Sequence, residues 1–280
     1  MNGVETSAST TADAAARPAF LVLDTESVPD GRLIGLIKYG SENLGPEEAI
    51  ARFQAEARER SATGSDFLPV TFQYPVAICV LRIGADFKLQ KLTCLDAPQF
   101  RTREMVQDFW KGLSQLSEKT PPQLVTFNGR GFDLPLLELA AFRYACPARS
   151  YFRGSRKRFD SYGHLDLMDW LTNYGACRLA GGLNLLSKLL GKPGKMEIAG
   201  HQVYELHRAG KLQEINDYCL FDTLDTYFVF LRTRLLTGEL TLEQEQERVR
   251  HAKQFLSGKT AEFPALSDYL ANWGDWQAWP

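Results

Sequence analysis

The chain has 280 residues, 44% of them apolar and 24% charged, with a formal net charge of −2. That length buries a full core, as one large domain or two small ones. The small net charge excludes a surface that traps polyanions as a whole, so any grip on nucleic acid needs a local basic patch or metal ions. No apolar run reaches the roughly eighteen residues of a membrane span, so no membrane partner is expected. Met1 to Pro18 is rich in Ala, Ser and Thr and has neither a basic n-region nor an apolar h-region. It is not a secretory signal; with Glu5 and Asp13 it fits a transit peptide poorly and reads as a disordered tail. The five cysteines (Cys79, Cys94, Cys146, Cys177, Cys219) show no Cys-x-x-Cys spacing. Scattered through apolar contexts, they suggest reduced thiols and a cytoplasmic home.

Ala19 to Leu23 is a short apolar run suited to a buried strand, and it ends in Asp24-Thr25-Glu26. A polar insertion follows, over about 31–69, with a helix expected from Glu47 to Arg60. Val76 to Ile83 and Phe87 to Leu95 read as a hairpin turning at Gly84-Ala85-Asp86. Arg103 to Glu118 is an amphipathic helix stopped by Pro121-Pro122. Leu124 to Phe127 is a strand, Leu134 to Tyr144 a helix, and His164 to Leu167 a last strand. Leu183 to Leu190 is a short helix closing at Gly191, and a long core helix runs from about Asn216 to Leu236. Thr241 with Gln244 has the spacing of a capping box opening one more helix, and the tail from Ser257 reads as irregular. The order predicts an α/β layer fold with a mixed sheet, whose site lies beyond the C-terminal ends of its strands.

Three acidic signals stand out. Residues i and i+2 of a strand share a face, so Asp24 and Glu26 project together. Two neighbouring anions raise each other's pKa unless a cation lies between them, and carboxylates suit Mg²⁺ or Mn²⁺. A strand leaving into solvent would also carry such residues. Asp133 follows a turn with Gly129 and Gly131 and opens the next helix, where Asp is also a favoured N-cap. Tyr218 and Asp222 stand at i and i+4 of the long helix and share a face, where the phenol can hold a water beside the acid. A buried Tyr and an exposed Asp on an ordinary helix would give the same spacing.

Taken together, this pattern resembles the DEDD superfamily of 3′→5′ exonucleases. Asp24-x-Glu26 matches the first motif, and Asn128-x-x-x-Phe132-Asp133 the second, in the form found in proofreading domains of family-B DNA polymerases. Tyr218-x-x-x-Asp222 matches the third and marks the tyrosine branch, since Asp217 stands where the other branch has His. Val125 to Pro135, His164-Leu-Asp-Leu-Met-Asp169 and Leu190-Gly-Lys-Pro-Gly-Lys195 are similar to a bacterial group of stand-alone predicted exonucleases related to that proofreading domain. The resemblance covers about Phe20 to Gly238, and Phe72-Gln-Tyr-Pro75 departs from it where a His-containing turn is expected.

The resemblance implies a ribonuclease H-like mixed sheet flanked by helices and a two-metal phosphodiester hydrolysis using Mg²⁺ or Mn²⁺. Asp24, Glu26, Asp133 and Asp222 are then the metal ligands. Tyr218 orients the attacking water; its ordinary pKa near 10 makes it a poor base at neutral pH. Thr25, Asn128 and Phe132 are expected to bind substrate, although Asn128 also suits a turn. Asp166 and Asp169 could extend the acidic site or serve as a cap and a solvated acid.

Arg149, Arg153, Arg156, Lys157 and Arg158, with Tyr151 and Phe152, could grip a single strand or form a solvated loop. Gly191 to Lys195 is not a phosphate loop and reads as a helix stop, with Lys195 near substrate. The C-terminal tryptophans suit packing more than base stacking.

The expected organisation is a tail (1–18), an exonuclease domain (19–238) and a C-terminal helix and tail packed on it (239–280). The expected activity is removal of nucleoside 5′-monophosphates from single-stranded 3′ ends, with DNA favoured. RNA stays open because ribonuclease D shares the tyrosine branch. A non-catalytic nucleic-acid-binding module and a nucleotidase on free nucleotides are the competing expectations. Any replication or repair partner would be a separate chain.

Overall fold

The computed structural model describes residues 18–118, 120–156, 163–196 and 200–278. The expected N-terminal tail therefore lies outside the described residues, apart from Pro18. Five strands form one mixed sheet: β1 (Phe20–Pro29), β2 (Gln73–Ile83), β3 (Leu89–Cys94), β4 (Gln123–Thr126) and β5 (His164–Asp166). Their order is β3-β2-β1-β4-β5. The hairpin pairs antiparallel with β1, while β4 and β5 run parallel to it. This is the ribonuclease H-like arrangement expected from the sequence.

Alternation along β1 sends its residues to two cores. Leu21 and Leu23 face a core built with α3 (Thr102–Leu116) and α4 (Asp133–Tyr144). Val22 faces the opposite core, dominated by the 25-residue helix α8 (Leu212–Leu236). The last helices, α9 (Leu242–Ser257) and α10 (Leu266–Ala271), add Leu256, Leu266 and Tyr269 to that second core, and Trp273 joins it from just beyond α10. Most of α8 is therefore buried, including polar side chains such as Asn216, Asp225 and Thr226.

The insertion folds on itself. Helix α1 (Gly31–Lys38), which the sequence did not announce, packs with α2 (Pro46–Arg60) around Ile34, Tyr39, Ile50, Phe53 and Leu68. Smaller helices α5 (Leu167–Leu171), α6 (Gly182–Leu189) and α7 (Val203–Arg208) complete the chain between β5 and α8.

Two expectations change. The irregular tail contains α10, whose short apolar face (Leu266, Tyr269) shows too few turns for periodicity to register. The long helix begins at Leu212, one turn before Asn216, because Ile215 and Asn216 are buried against the body. The capping box of Thr241 and Gln244 forms as expected.

Candidate active site

Strand β1 continues to Pro29, so Asp24 and Glu26 do not sit at its end. What opens there is the ladder to β4, which pairs only Phe20–Val22 with Gln123–Val125. Beyond Val22, β1 outruns its parallel neighbour, and the register to β2 shifts between Glu26 and Ser27. The two carboxylates thus project where the sheet has lost a neighbour, on the α8 face.

Helix α8 meets them there. Cys219 donates through Sγ to the backbone carbonyl of Asp24 at 3.3 Å, fixing the helix against the strand. Its neighbours at Tyr218 and Asp222 then face the strand acids. One carboxylate oxygen each from Asp24, Glu26 and Asp222 lie within 4.8 Å of one another. Asp24 Oδ2 is buried and has no hydrogen-bond partner among the described residues. Burial pushes Asp24 and Glu26 well above the usual carboxylate range, and their like-charged neighbours push the same way. Burial, with Asp225 adding repulsion, raises Asp222 to about 7. The Tyr218 hydroxyl stands beside Asp222, and burial drives its pKa upward too, with the neighbouring acids adding to it, so the phenol stays neutral.

Three converging carboxylates, one of which also carries a buried oxygen without a proton donor, fit a small divalent cation. Without one, the cluster must take up protons to relieve its repulsion.

Asp133 stands one layer back. Thr25 points to the opposite face of β1 from Asp24, and its hydroxyl donates to Asp133 Oδ1 at 2.7 Å. Asp133 is 2% exposed, outside the group of three, and raised by burial to about 7. It is not an N-cap: Phe132 holds the cap position of α4 and Asp133 is the first helical residue. Thr25 is itself buried, with its hydroxyl committed to Asp133.

The turn that presents Asp133 is held from β5. Asp166 Oδ1 accepts from the N–H of Asn128 (3.0 Å), Oδ2 from that of Arg130 (2.8 Å), and the same carboxylate caps α5. Asn128 adopts φ 65° and its carbonyl accepts from Gly131 and Phe132, so it serves the turn. Gly129 is required: a Cβ there would stand 2.4 Å from Thr126 Oγ1. Asp169 pairs with Arg130 at 3.0 Å. Phe132 lies at the mouth of this turn, 5.9 Å from the ring of Phe67 in the insertion.

A cavity of about 630 Å³ runs from Tyr218 and Asp222 past Phe221 to Lys188 and Lys195. The positive charge of Lys195 lowers the pKa of both Glu26 and Asp222. The basic loop lies elsewhere. Arg149 and Arg153 line a separate cavity of about 870 Å³ beside α3, and Arg156 is bound to Glu138 at 2.9 Å. Lys157 and Arg158 lie outside the described residues. Trp273 packs in the core as expected, and Trp279 is not among the described residues.

Asp225, one turn beyond Asp222, belongs to none of the three acidic motifs, although i+3 spacing puts it on the same side of α8. It is 1% exposed and accepts from Tyr269 Oη at 2.6 Å.

A mixed sheet with helices on both faces, carrying clustered carboxylates and a tyrosine beside a cleft, defines a nuclease-type α/β enzyme. The chain belongs to the family of predicted 3′–5′ exonucleases related to the exonuclease domain of PolB, whose model matches residues 65–273. The match begins after Asp24 and Glu26, which only the fold brings to Asp222. The chain is also similar in structure to the family B DNA polymerase from the hyperthermophilic archaeon Pyrobaculum calidifontis, with a TM-score of 0.48 and 15% identity, over 87% of this chain and 29% of that one. It thus spans less than a third of that polymerase's length. No curated protein matches it. Among the described residues, no helix is long and apolar enough to cross a membrane.

Proposed function

We propose that the chain removes nucleoside 5′-monophosphates from the 3′ end of single-stranded nucleic acid, with DNA favoured, in a reaction that depends on divalent metal. The observation that carries this is the convergence of Asp24, Glu26 and Asp222, with Asp24 Oδ2 buried and unpartnered among the described residues and Tyr218 beside Asp222. These three residues would hold Mg²⁺ or Mn²⁺, and Asp133 would support a second ion from behind Thr25. Bound divalent ions lower the pKa of water and offset charge on the oxygens of a phosphodiester.

The residues do the rest. Tyr218, kept neutral by burial, positions the attacking water through its hydroxyl instead of removing its proton. Lys195 meets the anionic phosphate from the other wall of the cavity. Water oxygen joins phosphorus, the bond to the 3′ oxygen of the penultimate nucleotide breaks, and that oxygen takes a proton. The Phe132 and Phe67 rings offer an apolar edge for the terminal base. The DNA preference follows from the second motif, Asn128 to Asp133, and its likeness to polymerase proofreading domains. We assign the domain itself to 19–238.

The test uses 5′-labelled DNA and RNA single strands of matched sequence, with Mg²⁺, Mn²⁺ or EDTA, beside Asp24→Asn. A ladder shortening from the 3′ end, lost in EDTA and in the variant, is expected, and DNA should be shortened faster. Intact strands with every metal would overturn the assignment.

A further inference from the structure

Lys195 reaches the cavity from a segment, 191–196, that has no regular structure of its own. Its position is therefore set by what it touches, and much of that comes from the C-terminus. At its start, Gly274 N–H donates to Gly191 O at 2.8 Å. Gly191 has φ +68°, and a Cβ there would lie 2.8 Å from Asp275 O, so the two backbones meet with no room for a side chain. Lys192, only 3% exposed, lies 4.2 Å above the Trp273 ring and donates to Gly274 O at 3.2 Å. Cation–π contact and carbonyl bond together hold this ammonium where burial disfavours it.

The far end is held as well. Lys195 N–H donates to Asn184 Oδ1 at 2.8 Å, and Lys188 Nζ bonds Pro193 O. Beside Gly194 lies the buried carboxylate of Asp225, which accepts from Tyr269 Oη at 2.6 Å. That bond is made to Oδ1; Asp225 Oδ2 is buried and has no hydrogen-bond partner among the described residues. The Ser187 hydroxyl and the Gly194 backbone N–H are near enough to lower its pKa. A buried carboxylate with so few donors depends on each of them.

We propose that the C-terminal segment, 266–275, is a brace that sets Lys195 in the catalytic cavity, with Tyr269 and Asp225 as positioning residues. Tyr269 orients Asp225 beside Gly194, Trp273 and Gly274 hold Gly191 and Lys192, and the segment presents the ammonium to the cavity. This inference rests on the exonuclease reading for the role of Lys195, and on geometry alone for the brace.

The test is a double-mutant cycle of Tyr269→Phe and Lys195→Met, scored as kcat/KM on a single-stranded 3′ end, with amide hydrogen exchange over 191–196. Tyr269→Phe keeps the ring and its packing and removes only the hydroxyl. We expect it to lower kcat/KM by about tenfold in the native background and by less than about twofold in the Lys195→Met background, because coupled residues are not additive. Exchange over 191–196 should quicken by about tenfold while α8 is unchanged. Losses that multiply in the double variant would show that Tyr269 acts elsewhere, and unaltered exchange would show that there is no brace. Each result overturns the proposal. A native chain that cuts no strand sinks the exonuclease reading and the role of Lys195 with it, while exchange still reports on the brace.

Discussion

Replacing Asp24 with Asn should abolish activity and yet stabilise the metal-free protein. Carboxylate oxygens of Asp24, Glu26 and Asp222 lie within 4.8 Å of one another. At that separation two full charges repel by about 3.5 kcal/mol at an effective dielectric of 20. Proton uptake relieves part of this, so removing one charge should gain about 1–2 kcal/mol at pH 8, or about 2–8 °C in Tm for a chain of this size.

The sign with pH follows from linkage. Asp133 and Asp222, both raised to about 7, keep protons in the folded metal-free chain that the unfolded chain has already lost. Stability from this cluster therefore falls as pH climbs from about 4 to about 7. The advantage of Asp24→Asn should accordingly be small at pH 5.5 and full at pH 8. Excess Mn²⁺ should reverse the pattern by stabilising the native chain, by about 2.7 kcal/mol at a hundred times Kd, and the variant far less. Thermal melts of both proteins after EDTA dialysis, at the two pH values and with or without Mn²⁺, decide it. A variant no more stable than the native chain at pH 8, or one that keeps the full Mn²⁺ shift, would refute the account of these carboxylates as a repelling cluster shaped for a cation.

Tyr218→Phe should lower kcat by about ten- to a hundredfold and leave the Mn²⁺-induced Tm shift in place; loss of that shift would mean that the phenol helps to hold the ion. Thr25→Val keeps the side-chain shape but removes the donor to Asp133, and should cost about 1.5–3 kcal/mol above pH 8. At pH 5, where Asp133 is protonated, the cost should shrink, and denaturant melts at the two pH values that showed equal costs would contradict a charged Asp133 partner. Asp166→Ala leaves four backbone N–H groups of the β4–α4 turn and α5 without their acceptor. It should destabilise by about 3 kcal/mol and reduce activity through Asp133; a stability change within 0.5 kcal/mol, on the order of ordinary surface substitutions, would show that the turn stands without it.

Much of this was written in residue type and spacing. Period two put Asp24 and Glu26 on one face of β1, and helical spacing put Tyr218 and Asp222 on one face of α8, because those neighbours are fixed by local backbone geometry. The capping box and the glycine turn before Asp133 were legible for the same reason. Contacts between distant segments were not. That Thr25 would hold Asp133, across a separation of 108 residues, depends on α4 lying against the face of β1 opposite to α8. That Cys219 would anchor α8 at Asp24, across 195 residues, depends on where a long buried helix comes to rest on the sheet. The sequence by itself determined which side chains carry charge and which of them share a face. Only the tertiary structure decided that three acids converge while the fourth stands behind a threonine, and that the C-terminal segment meets the Lys195 segment, because packing of apolar faces, and not local spacing, sets those distances.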